Sequence, residues 1–176
     1  MSIDTRLFLY INCLVGRNCW WDAFHSYGAR FGLPVATGLY FFSGLQCAVG
    51  TIERTHFVLI SSAVWITAWI VNQVIGLIVG RPRPFVNHPQ VRRLITTLSS
   101  WKSFPSDHAM SAWLFIFLPE ALGFTMMPGI TIVLIVFAVW ISWSRVFAGV
   151  HYIGDIFGGA AVAALMACGA NFIFLA

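Results

Sequence analysis

The chain predicts an all-α integral membrane protein: a bundle of five, or six, transmembrane helices with an N-terminal amphipathic helix at the interface. Three observations carry this. Of the 176 residues, 59% are hydrophobic and only 9% are charged, where a soluble domain carries about 25% charged residues. The mean hydropathy is +0.83. The charges also collect at the ends of long apolar runs, as expected when a charge at the bilayer centre costs roughly 2.5–3.5 kcal/mol.

Taken in order, residues 1–30 mix Leu7, Phe8, Tyr10, Ile11 and Leu14 with Arg6, Arg17, Asp22 and Arg30, and add Trp20 and Trp21. That mixture suits a helix lying in the interface with its indoles at headgroup depth. The apolar run Leu7–Gly16 is too short to span and lacks a convincing cleavage site, so no cleavable signal is expected. A span needs ~20 apolar residues. Uncharged runs of that order occupy Phe31–Ile52, Phe57–Val79, Ala121–Ser144 and Ile156–Ala176, and a further span falls at Ser106–Gly123, with Glu120 near its end. Residues 31–176 then form one bundle in a single domain, with polar motif loops at 80–108 and 144–155 on one side of the membrane. Only short links around Glu53-Arg54 and Glu120, and the C-terminus, are expected on the other side.

The net charge of +4 comes from clustered basic residues. Clustering argues against nucleic-acid binding and for a local anionic partner, a lipid headgroup or a phosphorylated substrate. Cys13, Cys19, Cys47 and Cys168 form no CxxC pair and read as small hydrophobes. Acidic residues are few and scattered, so no metal site and no cofactor are expected.

Chemistry concentrates in three blocks. In the third, Ser144-Arg145-x5-His151-x3-Asp155, the i,i+4 spacing stacks His151 and Asp155 on one helix face. The carboxylate can then accept from one ring nitrogen and leave the other free to attack; taken alone, the pair reads more simply as a helix-end ion pair. Pro105-Ser106-Asp107-His108 reads as a capped helix start. Its first-turn N–H groups suit phosphate, Ser106 adds a hydroxyl, and His108 is placed to protonate a leaving oxygen. Arg83, between Pro82 and Pro84, and Arg145 offer planar forks for phosphoryl oxygens, and Arg81, Arg92, Arg93 and Lys102 add charge. Attraction to anionic lipid is the simpler reading for Arg92 and Arg93. His25, His56 and His88 show no partner pattern and are expected at the interface. Asn72 and Gln73, inside a span, are expected to bond a neighbouring helix.

The ordered blocks Arg83-Pro84, Pro105-Ser106-Asp107-His108 and Ser144-Arg145-x5-His151-x3-Asp155 resemble the signature of the type 2 phosphatidic acid phosphatase (PAP2) superfamily. Within it the chain looks most like bacterial undecaprenyl-diphosphate phosphatases of the bacitracin-resistance type. The resemblance implies metal-independent hydrolysis of a polyprenyl diphosphate to the monophosphate, in the service of lipid-carrier recycling and cell-wall biogenesis. His151 would form a phosphohistidine and His108 would be the general acid. Asp155 would orient His151, and Arg83, Ser106 and Arg145 would hold phosphoryl oxygens. Two positions depart from the pattern. Gly76 stands seven residues before Arg83, where a lysine is usual; Arg81 or Lys102 would supply that charge, or the glycine marks a subgroup or weakened catalysis. Asp107 stands where many members carry glycine, and it must turn toward Arg81, Lys102 or a substrate hydroxyl to avoid repelling phosphate.

The alternatives are a phosphatase or phosphotransferase acting on phosphatidylglycerophosphate, phosphatidic acid or lipid A, and a non-catalytic membrane protein that binds lipid phosphates. The expected partners are the lipid substrate and the bilayer, with no obligate protein partner. The resemblance implies the bacterial inner membrane with the site toward the periplasm, although the excess of Arg and Lys on the motif side points to the cytoplasm.

Overall fold

The computed structural model describes residues 1–175, which form helices joined by short links and one long loop. The helices are α1 (Ile3–Asn12), α2 (Cys19–Cys47), α3 (Gly50–Val79), α4 (Pro84–Asn87), α5 (Asp107–Leu122), α6 (Ile130–Phe147) and α7 (Ile153–Leu175). Among the described residues, three segments are long and apolar enough to cross a membrane by length and composition: Gly50–Asn87, Ile130–Phe147 and Ile153–Phe174.

The expected count of five or six spans is therefore met by length and composition at only three. α5 has 16 residues, about 24 Å at 1.5 Å per residue, and is shorter than the hydrocarbon layer. It is the central helix of the bundle: Met110, Leu114 and Leu118 are buried against α3 and α7, and Ala112, Phe115 and Ile116 against α2 and α6. A helix wrapped by its neighbours is apolar all round because it has no solvent face.

The first thirty residues, expected as a single segment, hold α1 and the start of α2. Asn18 caps a new helix by accepting from the N–H groups of Trp20 (2.9 Å) and Trp21 (3.2 Å), so residues 19–30 are the first turns of α2. α1 starts at Ser2, whose hydroxyl accepts from Thr5 N (3.2 Å), and it docks rather than lying free. Its Phe8 is fully buried, with an edge contact to Tyr152 at 5.3 Å in a cluster shared with Phe147 and Ile156.

The C-termini of α3 and α6 and the N-termini of α5 and α7 meet at one end of the bundle. Gly159 permits this, since a Cβ there would lie 2.6 Å from Ser106 O and 2.9 Å from Met110 N. α7 can thus press its backbone against the first turn of α5. Backbone bonds tie the loops together at the same end: Ser106 N to Asp155 O (3.0 Å), Ser103 N to Arg81 O (2.7 Å) and Arg83 N to Ser100 O (3.0 Å).

Candidate active site

The converging loops enclose a cavity of about 490 Å³ whose lining includes Gln73, Arg83, Lys102, His108, Arg145 and His151. All three sequence blocks contribute. The cavity at the opposite end, about 310 Å³, carries Glu53 and His56 but no arginine, and so lacks the cations that phosphate recognition needs.

His151 sits in the link before α7, buried, with both ring nitrogens engaged. Nδ1 lies 2.8 Å from Ser103 O and Nε2 lies 3.0 Å from Arg83 Nη1. A carbonyl can only accept and a guanidinium can only donate. Nδ1 therefore carries the proton, and Nε2 presents a lone pair toward the arginine. Burial pushes the imidazole down to about 4, against the stabilising pull of Asp155, and nearby Arg83 and Arg145 push in the same direction as burial. The ring is neutral at physiological pH, the form with a free lone pair on one nitrogen.

Asp155 orients this ring less directly than its spacing suggests. Its Oδ2 is 3.5 Å from Nδ1, beyond a good hydrogen bond, and the nearer acceptor is the Ser103 carbonyl. Oδ2 instead accepts from Tyr152 N (2.7 Å) and the Ser103 hydroxyl, while Oδ1 accepts from Arg81 Nη1 (2.8 Å). The carboxylate fixes the segments on both sides of the ring and keeps a negative charge beneath it.

Arg83 is held from three directions. Nε donates to Ser99 O (2.9 Å), and Nη1 donates to Val150 O (2.8 Å) and to His151. Arg145 Nη1 donates to Ala29 O (2.9 Å) in α2. Its buried Nε has no acceptor among the described residues.

Asp107 does not face the cavity as a bare charge. Oδ1 accepts from Lys102 Nζ (2.7 Å), Asn72 Nδ2 (2.6 Å) and Gln73 Nε2 (3.0 Å), and Lys102 also donates to Gln73 Oε1 (2.9 Å). Of the partners left open for this carboxylate, Lys102 is the one found. Gly76 is part of the same arrangement. A Cβ there would lie 2.4, 2.8 and 2.9 Å from Lys102 Cε, Cδ and Cγ, so the lysine stem runs across the glycine. The ammonium reaches the cavity edge from the loop, over α3.

Two expected phosphate ligands lie elsewhere. Arg81 is not on the cavity lining; its guanidinium bridges Asp155 and Asp4 and stacks on Tyr152 at 3.9 Å. Ser106 is fully buried and caps α5 by accepting from Ala109 N (3.4 Å). His25, expected at the interface, is 2% exposed, with Nδ1 3.0 Å from Ser144 Oγ. Asn72 and Gln73 do bond the neighbouring α5, as expected, but Gln73 also lines the cavity. Asp4 and Ser103 were missed, because no local pattern marks them.

Residues 57–174 match the model of the PAP2 superfamily. A 121-residue stretch is 30% identical to undecaprenyl-diphosphatase BcrC of Bacillus subtilis (strain 168), covering 66% of this chain and 58% of that protein. The chain thus spans under two thirds of that relative's length. Among solved structures, LpxE of Aquifex aeolicus superposes with a TM-score of 0.74 at 24% identity, over 97% of this chain and 95% of that one. A PAP2-type phosphatidylglycerolphosphate phosphatase from Bacillus subtilis aligns over 97% of this chain and 93% of that one, with a TM-score of 0.49 and 21% identity. The family model covers all three blocks that converge on the cavity, and the chain belongs to the PAP2 superfamily.

Proposed function

We propose that the protein is a membrane lipid-phosphate phosphatase that hydrolyses a polyprenyl diphosphate, undecaprenyl diphosphate foremost, through a phosphohistidine on His151. One observation carries the chemistry: His151 is locked as the Nδ1–H tautomer, with the Nε2 lone pair directed at Arg83 on the wall of a cationic cavity. An entering phosphoryl group takes over the Arg83 donor, and Nε2 attacks phosphorus in line with the leaving oxygen. Arg83, Arg145 and Lys102 neutralise charge on the transferring group. The unpartnered Nε of Arg145 favours an anionic ligand there. His108 protonates the leaving lipid monophosphate, then takes a proton from the water that cleaves the N–P bond and releases phosphate.

The polyprenyl diphosphate reading rests on the similarity to BcrC and on cavity cations beyond Arg83 and Arg145, Lys102 and Arg30, which suit a diphosphate better than a monoester. We place the site on the outer face of the cytoplasmic membrane, following the family resemblance. The test is phosphate release by detergent-purified protein from undecaprenyl diphosphate, phosphatidic acid and phosphatidylglycerophosphate at equal surface concentration. The diphosphate should be preferred by at least tenfold in kcat/KM; equal or reversed preference would transfer the assignment to the other lipid phosphates.

A further inference from the structure

We infer that Asp4 and Arg81 are positioning residues for the reaction, a charged clasp from the N-terminal helix that holds Asp155, and through it His151, in attacking geometry. The inference rests on the reading of His151 as nucleophile.

The clasp is continuous. Asp4 Oδ2 accepts from Arg81 Nη2 at 2.6 Å, Arg81 Nη1 donates to Asp155 Oδ1 at 2.8 Å, and Asp4 Oδ1 accepts from Gly154 N at 3.0 Å. Asp4 therefore grips both the arginine and the backbone next to Asp155. Arg81 Cζ lies over the Tyr152 ring, 3.9 Å from its centroid, a cation–π contact that helps hold the guanidinium in place. Asp155 is fully buried, and a buried carboxylate needs compensation. Arg81 provides it from behind, leaving Oδ2 for Ser103 and the Tyr152 N–H beside the His151 ring.

Two carboxylates share one guanidinium, so at neutral pH the cluster carries one net negative charge. Attack on phosphorus turns the neutral imidazole into a cationic phosphoimidazolium, and a net negative cluster beneath the ring stabilises that cation. With Asp4 neutralised, Arg81 would pair with Asp155 alone and cancel that charge. The clasp thus does two things: it aims the ring, and it keeps the field under the ring negative. It also assigns a task to α1, whose Phe8 anchors the helix in the core.

The test uses the full-length protein with Asp4→Asn, Asp4→Glu and Arg81→Met. Asparagine is near-isosteric and keeps an oxygen for Gly154 N while removing the charge. We expect Asp4→Asn to lower kcat by about ten- to a hundredfold, the usual cost of losing a partner behind a site, with KM within about twofold and Tm within a few degrees. Asp4→Glu should regain most of the rate. Arg81→Met should lower kcat in the same way; if it raises KM and spares kcat, Arg81 is a phosphate ligand and the clasp is refuted. Unchanged kcat in Asp4→Asn also refutes it. A loss in Asp4→Asn that Asp4→Glu does not relieve, accompanied by a fall in Tm, assigns Asp4 to folding and overturns the inference. His151→Ala separates the two readings: if it stays active the nucleophile is wrong, whereas an inactive His151→Ala beside a fully active Asp4→Asn sinks the clasp alone.

Discussion

Replacing Gly76 by alanine should make α3 more stable and the enzyme slower. Glycine inside a helix costs about 1 kcal/mol relative to alanine, so the substitution favours the fold. The added methyl, however, would sit 2.4 Å from Lys102 Cε, where ordinary contact begins near 3.4 Å, and the stem must withdraw by about 1 Å. The ammonium bonds to Asp107 Oδ1 (2.7 Å) and Gln73 Oε1 (2.9 Å) would stretch beyond useful length. A charge-assisted bond contributes on the order of 1.5–3 kcal/mol, and at about 1.4 kcal/mol per decade this is roughly a ten- to hundredfold loss in kcat/KM. The assay is phosphate release from the lipid diphosphate, with Tm measured alongside, in a cycle with Lys102→Ala. Once the lysine stem is gone, Gly76→Ala should cost no further activity, because the three atoms nearest the methyl all belong to that stem. Additive losses in the double variant, or a fully active Gly76→Ala, would refute the view that this glycine exists to admit Lys102.

Other predictions follow from the same geometry. Burial holds the His151 pKa near 4, below the ordinary 6.5, so its contribution to stability is complete above pH 6.5 and is lost as pH falls toward 4. In ¹⁵N-histidine spectra its ring should remain the neutral Nδ1–H tautomer at pH 5.5, and a ring already protonated there would contradict the assigned environment. Arg83→Lys keeps a charge but cannot reach Ser99 O, Val150 O and His151 together; kcat should fall by on the order of 10³ or more, and a loss under tenfold would remove Arg83 from the transition state. Leu98 is fully exposed at the cavity rim, so Leu98→Cys should react with a membrane-impermeant maleimide added outside intact cells. Labelling only after lysis would place the site in the cytoplasm.

The parts of this site that were legible in the sequence lie within a few residues of one another. His151 and Asp155 lie four residues apart where α7 begins, and Ser106 through His108 announce a cap. The blocks fall at the ends of apolar runs, which places them at one membrane face before any contact is known. What stayed hidden depends on long-range contact. Arg81 looked like a phosphate ligand because its partner Asp4 lies 77 residues away. The Ser103 carbonyl that takes the His151 proton is a backbone atom, which no side-chain pattern reveals. Gly76 read as a missing lysine until Lys102, from the loop, was seen lying across it. At α5 apolar composition alone does not count a span, because it cannot separate a helix buried by protein from one buried by lipid.

The central claim is that His151 becomes phosphorylated. The direct measurement is acid-labile, base-stable label on the protein after rapid quenching with β-³²P-labelled undecaprenyl diphosphate, in EDTA, mapped by peptide. Label on the peptide carrying His151, formed and lost at rates compatible with turnover and absent from His151→Ala, is the predicted result. Phosphate released at full rate without label, or label mapping to His108, would contradict the account.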